Sequence, residues 1–196
     1  MASGRLQDYS VAFRLFSRIA SILEGLHRIG HFIPHLILDD IMVITGDQGA
    51  LEVKIDYKLS RFLDPKMDRP GPMLRRLLNC HPDIINQRPL DFRSDTWSLG
   101  KIFVELLTAD FEAHDYLAKI DNLPLPQDIA VLFKIMLAED PALRPRSMAE
   151  VAETLSRITD DDIQAAKQGF LESAPSPTKP VSYTHLRAHE TVLDLV

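Results

Sequence analysis

Asp40 and Asp56 lie on either side of a short apolar stretch, and each offers a carboxylate. Carboxylates are hard oxygen donors of the kind that Mg²⁺ or Mn²⁺ takes, so this pair could share one divalent cation. The same two residues also read as polar groups at a strand end and in a loop. A histidine side chain ordinarily titrates near neutral pH, so His35 could act as a general base. Its alternative is a loop histidine without chemistry. Arg75-Arg76 could receive a phosphate or an acidic partner, or be a solvated charge pair. His185 and His189 stand at the i, i+4 spacing that can hold a metal on a helix, but nothing near them completes such a site. Cys80 is the single cysteine, which excludes a disulfide framework and a cysteine-rich zinc site within one chain.

Several elements must position these residues. Val11, Leu15, Ile19, Ile22, Leu23 and Leu26 recur at three- and four-residue steps and predict a helix over 9–28, stopped by Gly30. Pro34 argues against a central strand over the next apolar run, so a loop leads into a short strand at Ile41-Met42-Val43-Ile44. A turn cluster at 45–49 precedes Leu51-Glu-Val-Lys-Ile55, whose alternation predicts a hairpin partner. Residues 57–93 hold five prolines and no clean period, the pattern of a long functional or mobile loop. A buried helix is expected over Trp97 to Leu107, with Ser94 or Asp95 as its cap. Further helices are expected at 127–138 and at 147–157, where Ser147 to Glu150 has capping-box spacing. Residues 159–171 continue as a surface helix, and the text from Ser173 has a linker composition.

The chain has 196 residues, enough to bury roughly two-thirds of its unfolded surface without staples. It is 45% hydrophobic and 26% charged, which excludes collagen-like, low-complexity and wholly disordered chains. A net charge of −6 argues against a strongly basic nucleic-acid binder. No apolar run reaches membrane-spanning length, and the polar start lacks the apolar core of a signal peptide. The expectation is a soluble, cytoplasmic protein, mainly α with a small β hairpin.

The order of these pieces resembles the C-terminal lobe of a eukaryotic-type protein kinase over about residues 4–158. Ile33-Pro34-His35-Leu36-Ile37-Leu38-Asp39-Asp40 aligns without gaps on His-Arg-Asp-Leu-Lys-Pro-x-Asn. Val53-Lys54-Ile55-Asp56-Tyr57-Lys58 falls where Asp-Phe-Gly belongs, and His81-Pro82-Asp83 where Ala-Pro-Glu belongs. Ser94-Asp95-Thr96-Trp97-Ser98-Leu99-Gly100 is close to the family's text at its central buried helix. Asp140-Pro141 to Arg144-Pro145 resembles the late Arg-Pro motif.

The resemblance implies an architecture better kept than its chemistry. Phosphoryl transfer depends on positioning and charge neutralisation. The position of the catalytic Asp is His35, that of the neighbouring Lys is Ile37, and that of the second metal-holding Asn is Asp40. Pro34 replaces the Arg that reads an activation-segment phosphate, and Ser60 is the only serine or threonine between Asp56 and Asp83. Only the metal-binding Asp is kept, as Asp56. By the same resemblance Asp95 anchors the loop backbone, Asp83 and Arg144 form an ion pair, and Trp97 is core. No glycine-rich loop or strand lysine for ATP is present in this text, so Met1 is expected to be an internal methionine.

The implied domain plan is a kinase-like C-lobe lacking the N-lobe over 1–158, a helical extension over 159–172 and a tail over 173–196. Residues 181–196 resemble translated adapter sequence and are set aside from fold reasoning. The expected function is that of an inactive pseudokinase fragment that binds or scaffolds an unidentified protein. It has no nucleic-acid or membrane partner, and it uses Mg and ATP only if an upstream N-lobe exists. The alternatives are an atypical Ser/Thr kinase completed by such a lobe, and a nonfunctional truncated fragment.

Overall fold

A computed structural model describes residues 8–33, 36–45, 51–56, 81–111 and 115–173. Helix α1 (Tyr9–Arg28) begins at Asp8, whose carboxylate accepts from the Ser10 and Val11 amides, satisfying two otherwise orphaned donors. It ends where Gly30 takes a φ of +80°, and the His31 amide folds back onto the Leu26 carbonyl. Its buried stripe is Tyr9, Ala12, Phe13, Leu15, Phe16, Ile19, Ala20 and Leu23. This stripe is turned from the aliphatic one expected: Val11, Ile22 and Leu26 are only half buried. The reason is that α1 is gripped on two sides, so Phe13 and Phe16 set its orientation.

A single 3₁₀ turn (Leu38–Asp40) leads into strand β1 (Ile41–Thr45), which pairs antiparallel with β2 (Leu51–Ile55). The register sets Ile41 against Ile55 and Val43 against Val53. Two strands alone are marginal in water, and β2 is supported from beneath by α1, with Val53 buried.

Helix α2 (Pro82–Ile85) is one turn capped by His81. Helix α3 (Phe92–Thr108) is the axis of the molecule, with Ser94 through Gly100 buried without a break. A helix buried on all sides must lie inside the packing rather than on its surface. Its cap is Asp91, not Ser94 or Asp95. The Asp91 carboxylate accepts from the Arg93 amide, and the Asp91 amide donates to the Ser94 hydroxyl. Ser94 and Asp95 therefore fall inside the first turn, a boundary shift of three to four residues from the expectation.

Helices α4 (Tyr116–Asp121), α5 (Gln127–Met136), α6 (Met148–Arg157) and α7 (Asp160–Ser173) follow. Ser147 caps α6 by accepting from the Glu150 amide, whereas Glu150 reaches back to the Arg146 amide rather than to the cap itself. α6 lies along α1: Ser17 donates its hydroxyl to the Ala152 carbonyl, and Glu24 accepts from the Ala149 amide. α7 rests on α1 through Ile163, its one buried side chain.

Phe16 of α1, Phe103 of α3 and Phe133 of α5 meet at the centre. The Phe16 and Phe103 rings stack at 3.9 Å between centroids, and Phe133 approaches Phe103 at 5.6 Å. The chain is thus mainly helical with a two-stranded antiparallel sheet. None of the described helices is long and apolar enough to cross a membrane.

Candidate functional site

The most connected polar group in the described structure is Arg144. Its side chain is fully buried, and all five of its N–H bonds have acceptors. Nη1 and Nη2 grip the two oxygens of Asp83 at 2.7 and 2.8 Å, the parallel fork that suits a guanidinium and a carboxylate. The carbonyls of Ala138, Arg93 and Glu139 take the remainder. The Ser94 hydroxyl adds a third bond to Asp83 at 2.9 Å. Burial alone would raise the Asp83 carboxyl; the hydrogen bonds from Arg144 and Ser94 and the Arg144 charge outweigh it and hold it below its ordinary range. One residue of α2, one of α3 and the turn before α6 are fastened together at this point.

Asp95 makes the second anchor. Fully buried, its Oδ2 accepts from the Ile33 amide at 2.8 Å and lies 2.7 Å from His27 Nε2. The first of these bonds ties α3 to the backbone immediately before His35. Asp95 Oδ1 and His27 Nδ1 are buried without a hydrogen-bond partner among the described residues. The residue after Ile33 is Pro34, which has no N–H to give. Burial raises the Asp95 carboxyl above its ordinary value, against the pull of His27 and the Ile33 amide. Trp97, one turn into α3, is buried edge-on to Tyr116, with ring centroids 6.3 Å apart.

The two carboxylates singled out from sequence are near one another in the backbone: the Asp56 amide donates to the Asp40 carbonyl at 2.7 Å. Their surroundings differ. Asp40 is buried, and its Oδ2 accepts from the Ile37 amide at 3.3 Å, closing the 3₁₀ turn. Asp56 is half buried. No group of three or more His, Cys, Asp or Glu side chains among the described residues is placed to hold a metal ion. Mg²⁺ keeps several waters and takes one or two carboxylates together with substrate oxygens, and Asp40 has one carboxylate oxygen already bonded within its own turn. His35, Lys58, Ser60, Arg75, Arg76, Cys80, His185 and His189 lie outside the described residues.

The fold can now be compared with known structures. The chain superposes on the kinase domain of Mycobacterium tuberculosis PknI with a TM-score of 0.53 at 15% sequence identity, covering 76% of this chain and 55% of that one. The fold is protein-kinase-like. Among curated proteins, this kinase-like chain is 23% identical over 210 aligned positions to the serine/threonine-protein kinase Nek4 of Mus musculus. That match covers 98% of this chain and 26% of the relative. It is 25% identical over 159 positions to the serine/threonine-protein kinase Nek7 of Arabidopsis thaliana, covering 74% and 27%. The chain thus spans about a quarter of the length of the curated relatives it matches. No family model matches it. What the likeness supports is a kinase-related domain.

Sequence reasoning missed two histidines that this kinase-like fold places in its polar core, His27 and His81. His81 carried a signal: a cap position followed by Pro at the first helical residue and an acid at the second. His27 carried none, because its partner Asp95 is 68 residues away.

Proposed function

We propose that this chain is a pseudokinase-type lobe that acts by binding protein rather than by transferring phosphate. The observation that carries this reading is Ile37. It stands where the resemblance puts a charge-neutralising lysine, and its backbone amide is committed to Asp40. An aliphatic side chain cannot offset the negative charge of a transferring phosphoryl group. His35 at the position of the catalytic carboxylate supports the same reading.

Binding is supported by surface composition. Met42, Val43 and Ile44 are each 40–45% exposed in succession along β1, and Ile29 and Phe32 add apolar area nearby in sequence. Exposed apolar side chains gathered on one short segment suit a protein partner. The segment before β1 is held by the Asp95–Ile33 contact, which does not depend on catalysis.

A phosphotransfer assay with Mg·ATP tests the proposal, on this chain and on any longer protein that contains it. The expected result is no transfer above background and no thermal shift at millimolar Mg·ATP. Robust transfer that Asp56→Ala abolishes would overturn the proposal and establish an atypical kinase.

A further inference from the structure

We propose that His81 is a proton-operated latch that fastens α2 to α3. Two hydrogen bonds fix the charge state of its ring. Nδ1 lies 3.2 Å from the Asp83 amide, which can only donate, so Nδ1 is an unprotonated acceptor. Nε2 lies 3.2 Å from the Ser94 carbonyl, which can only accept, so Nε2 carries the proton. The imidazole is therefore a neutral linker with one end in each helix, packed against Trp97 at 4.6 Å between ring centroids.

A second proton has one place to go. On Nδ1 it would face the Asp83 N–H, donor against donor, and the cap of α2 would be lost. The charges of the described residues around the ring do not rescue it. From α2, the Asp83 carboxylate lies 3.9 Å from Nδ1 and attracts a proton. Both of its oxygens are already engaged by Arg144, and one also by Ser94. From the turn before α6 the Arg144 guanidinium repels, and from α3 so does Lys101, while the Ser94 carbonyl favours the charged ring. Burial outweighs these and holds the imidazole below its ordinary value of 6.5.

The consequence for stability has a definite sign. Above pH 6.5 the ring is neutral both folded and unfolded, and the latch contributes fully. As pH falls below that, the unfolded chain takes the proton first, so the folded state loses ground until the folded ring also titrates. Acid releases α2, and with it the end of Asp83 that Arg144 holds.

The test uses this chain with ¹⁵N-labelled histidine. Imidazole nitrogen shifts should report the Nε2-protonated tautomer at pH 7.5, and a titration midpoint below 6.5. Amide-exchange protection at Asp83, corrected for intrinsic exchange, should fall in step with that titration. An Nδ1-protonated ring, a midpoint at or above 6.5, or Asp83 protection that ignores the titration would each overturn the proposal. A second arm uses His81→Asn, which keeps a cap acceptor but cannot titrate. Below pH 6.5 the unfolding constant of the parent chain should rise relative to this variant by up to about tenfold per pH unit. A constant ratio would overturn the latch. If the variant does not fold, the spectroscopic measurements on the parent chain decide alone.

Discussion

Arg144 and Asp83 hold each other in a place that water does not reach, and this makes them unequal to any surface pair. Arg144→Ala leaves the Asp83 charge buried with only the Ser94 hydroxyl, at a cost of about 3–5 kcal/mol in urea unfolding at pH 7. The acid limb of stability should change as well. Asp83 is held below its ordinary range, so its contribution is complete above about pH 4 and is lost as pH falls through the folded value. In Arg144→Ala, that part of the acid-induced loss should be missing from the stability–pH curve. Asp95 answers differently. Its carboxyl is raised by burial, so its negative charge is a cost that grows as pH rises from 3.8 to the folded value and is constant above it. Asp95→Asn keeps an acceptor for the Ile33 amide and removes the charge. It should change stability by less than about 1 kcal/mol, whereas Asp95→Ala leaves that amide unpaired and should cost about 1–3 kcal/mol. Equal effects of the two substitutions would show that the Ile33 bond is not what Asp95 supplies.

At the scale of elements, α3 and α5 approach closely because residue 100 has no side chain. A Cβ built at Gly100 would lie 3.0 Å from the Met136 Cβ and 3.3 Å from Leu137 Cγ. Gly100→Ala would favour an isolated helix by about 1 kcal/mol. Met136 Cβ is fixed to its backbone and cannot swing away, so overpacking at about 1–3 kcal/mol should win, and thermal unfolding should show a net loss. Such a contact could not be read from the sequence: Gly100 shows no partner until α5 is folded beside it. The elements that sequence did reveal are those with a long local period or a turn signal: α1, the hairpin, the body of α3, α5, α6 and α7. The missed elements, α2 and α4, are four and six residues long, too short for periodicity to register. The start of α3 was misplaced because its cap is Asp91 with Ser94 as the reciprocal partner, where the usual signature has Glu or Gln. The candidate site was legible in the same uneven way. The pairing of Asp83 with Arg144 spans 61 residues and came from resemblance to a family, since no local spacing joins them. The histidines at 27 and 81 take their meaning wholly from residues brought up by other elements.

The whole molecule turns on three phenylalanines, one from each of α1, α3 and α5. Phe103 is in the middle and touches both of the others, with no exposed surface. Phe103→Ala should cost about 3–5 kcal/mol in chemical denaturation, a large part of a typical domain's whole stability. Phe16→Ala combined with Phe103→Ala should cost less than the sum of the two, because the stacked pair is lost once and not twice. Additive effects would mean that the rings act separately. The long contact between α1 and α6 has a further meaning, one of time. The bond between Glu24 and the Ala149 amide joins positions 125 apart, and Ser17 waits still longer for Ala152. At about 5–20 residues per second of synthesis, the N-terminal helix leaves the ribosome roughly 6–25 s before the helix that covers it. For that interval the face of α1 that α6 covers has no permanent neighbour, and a nascent chain of this kind is a natural client for chaperones.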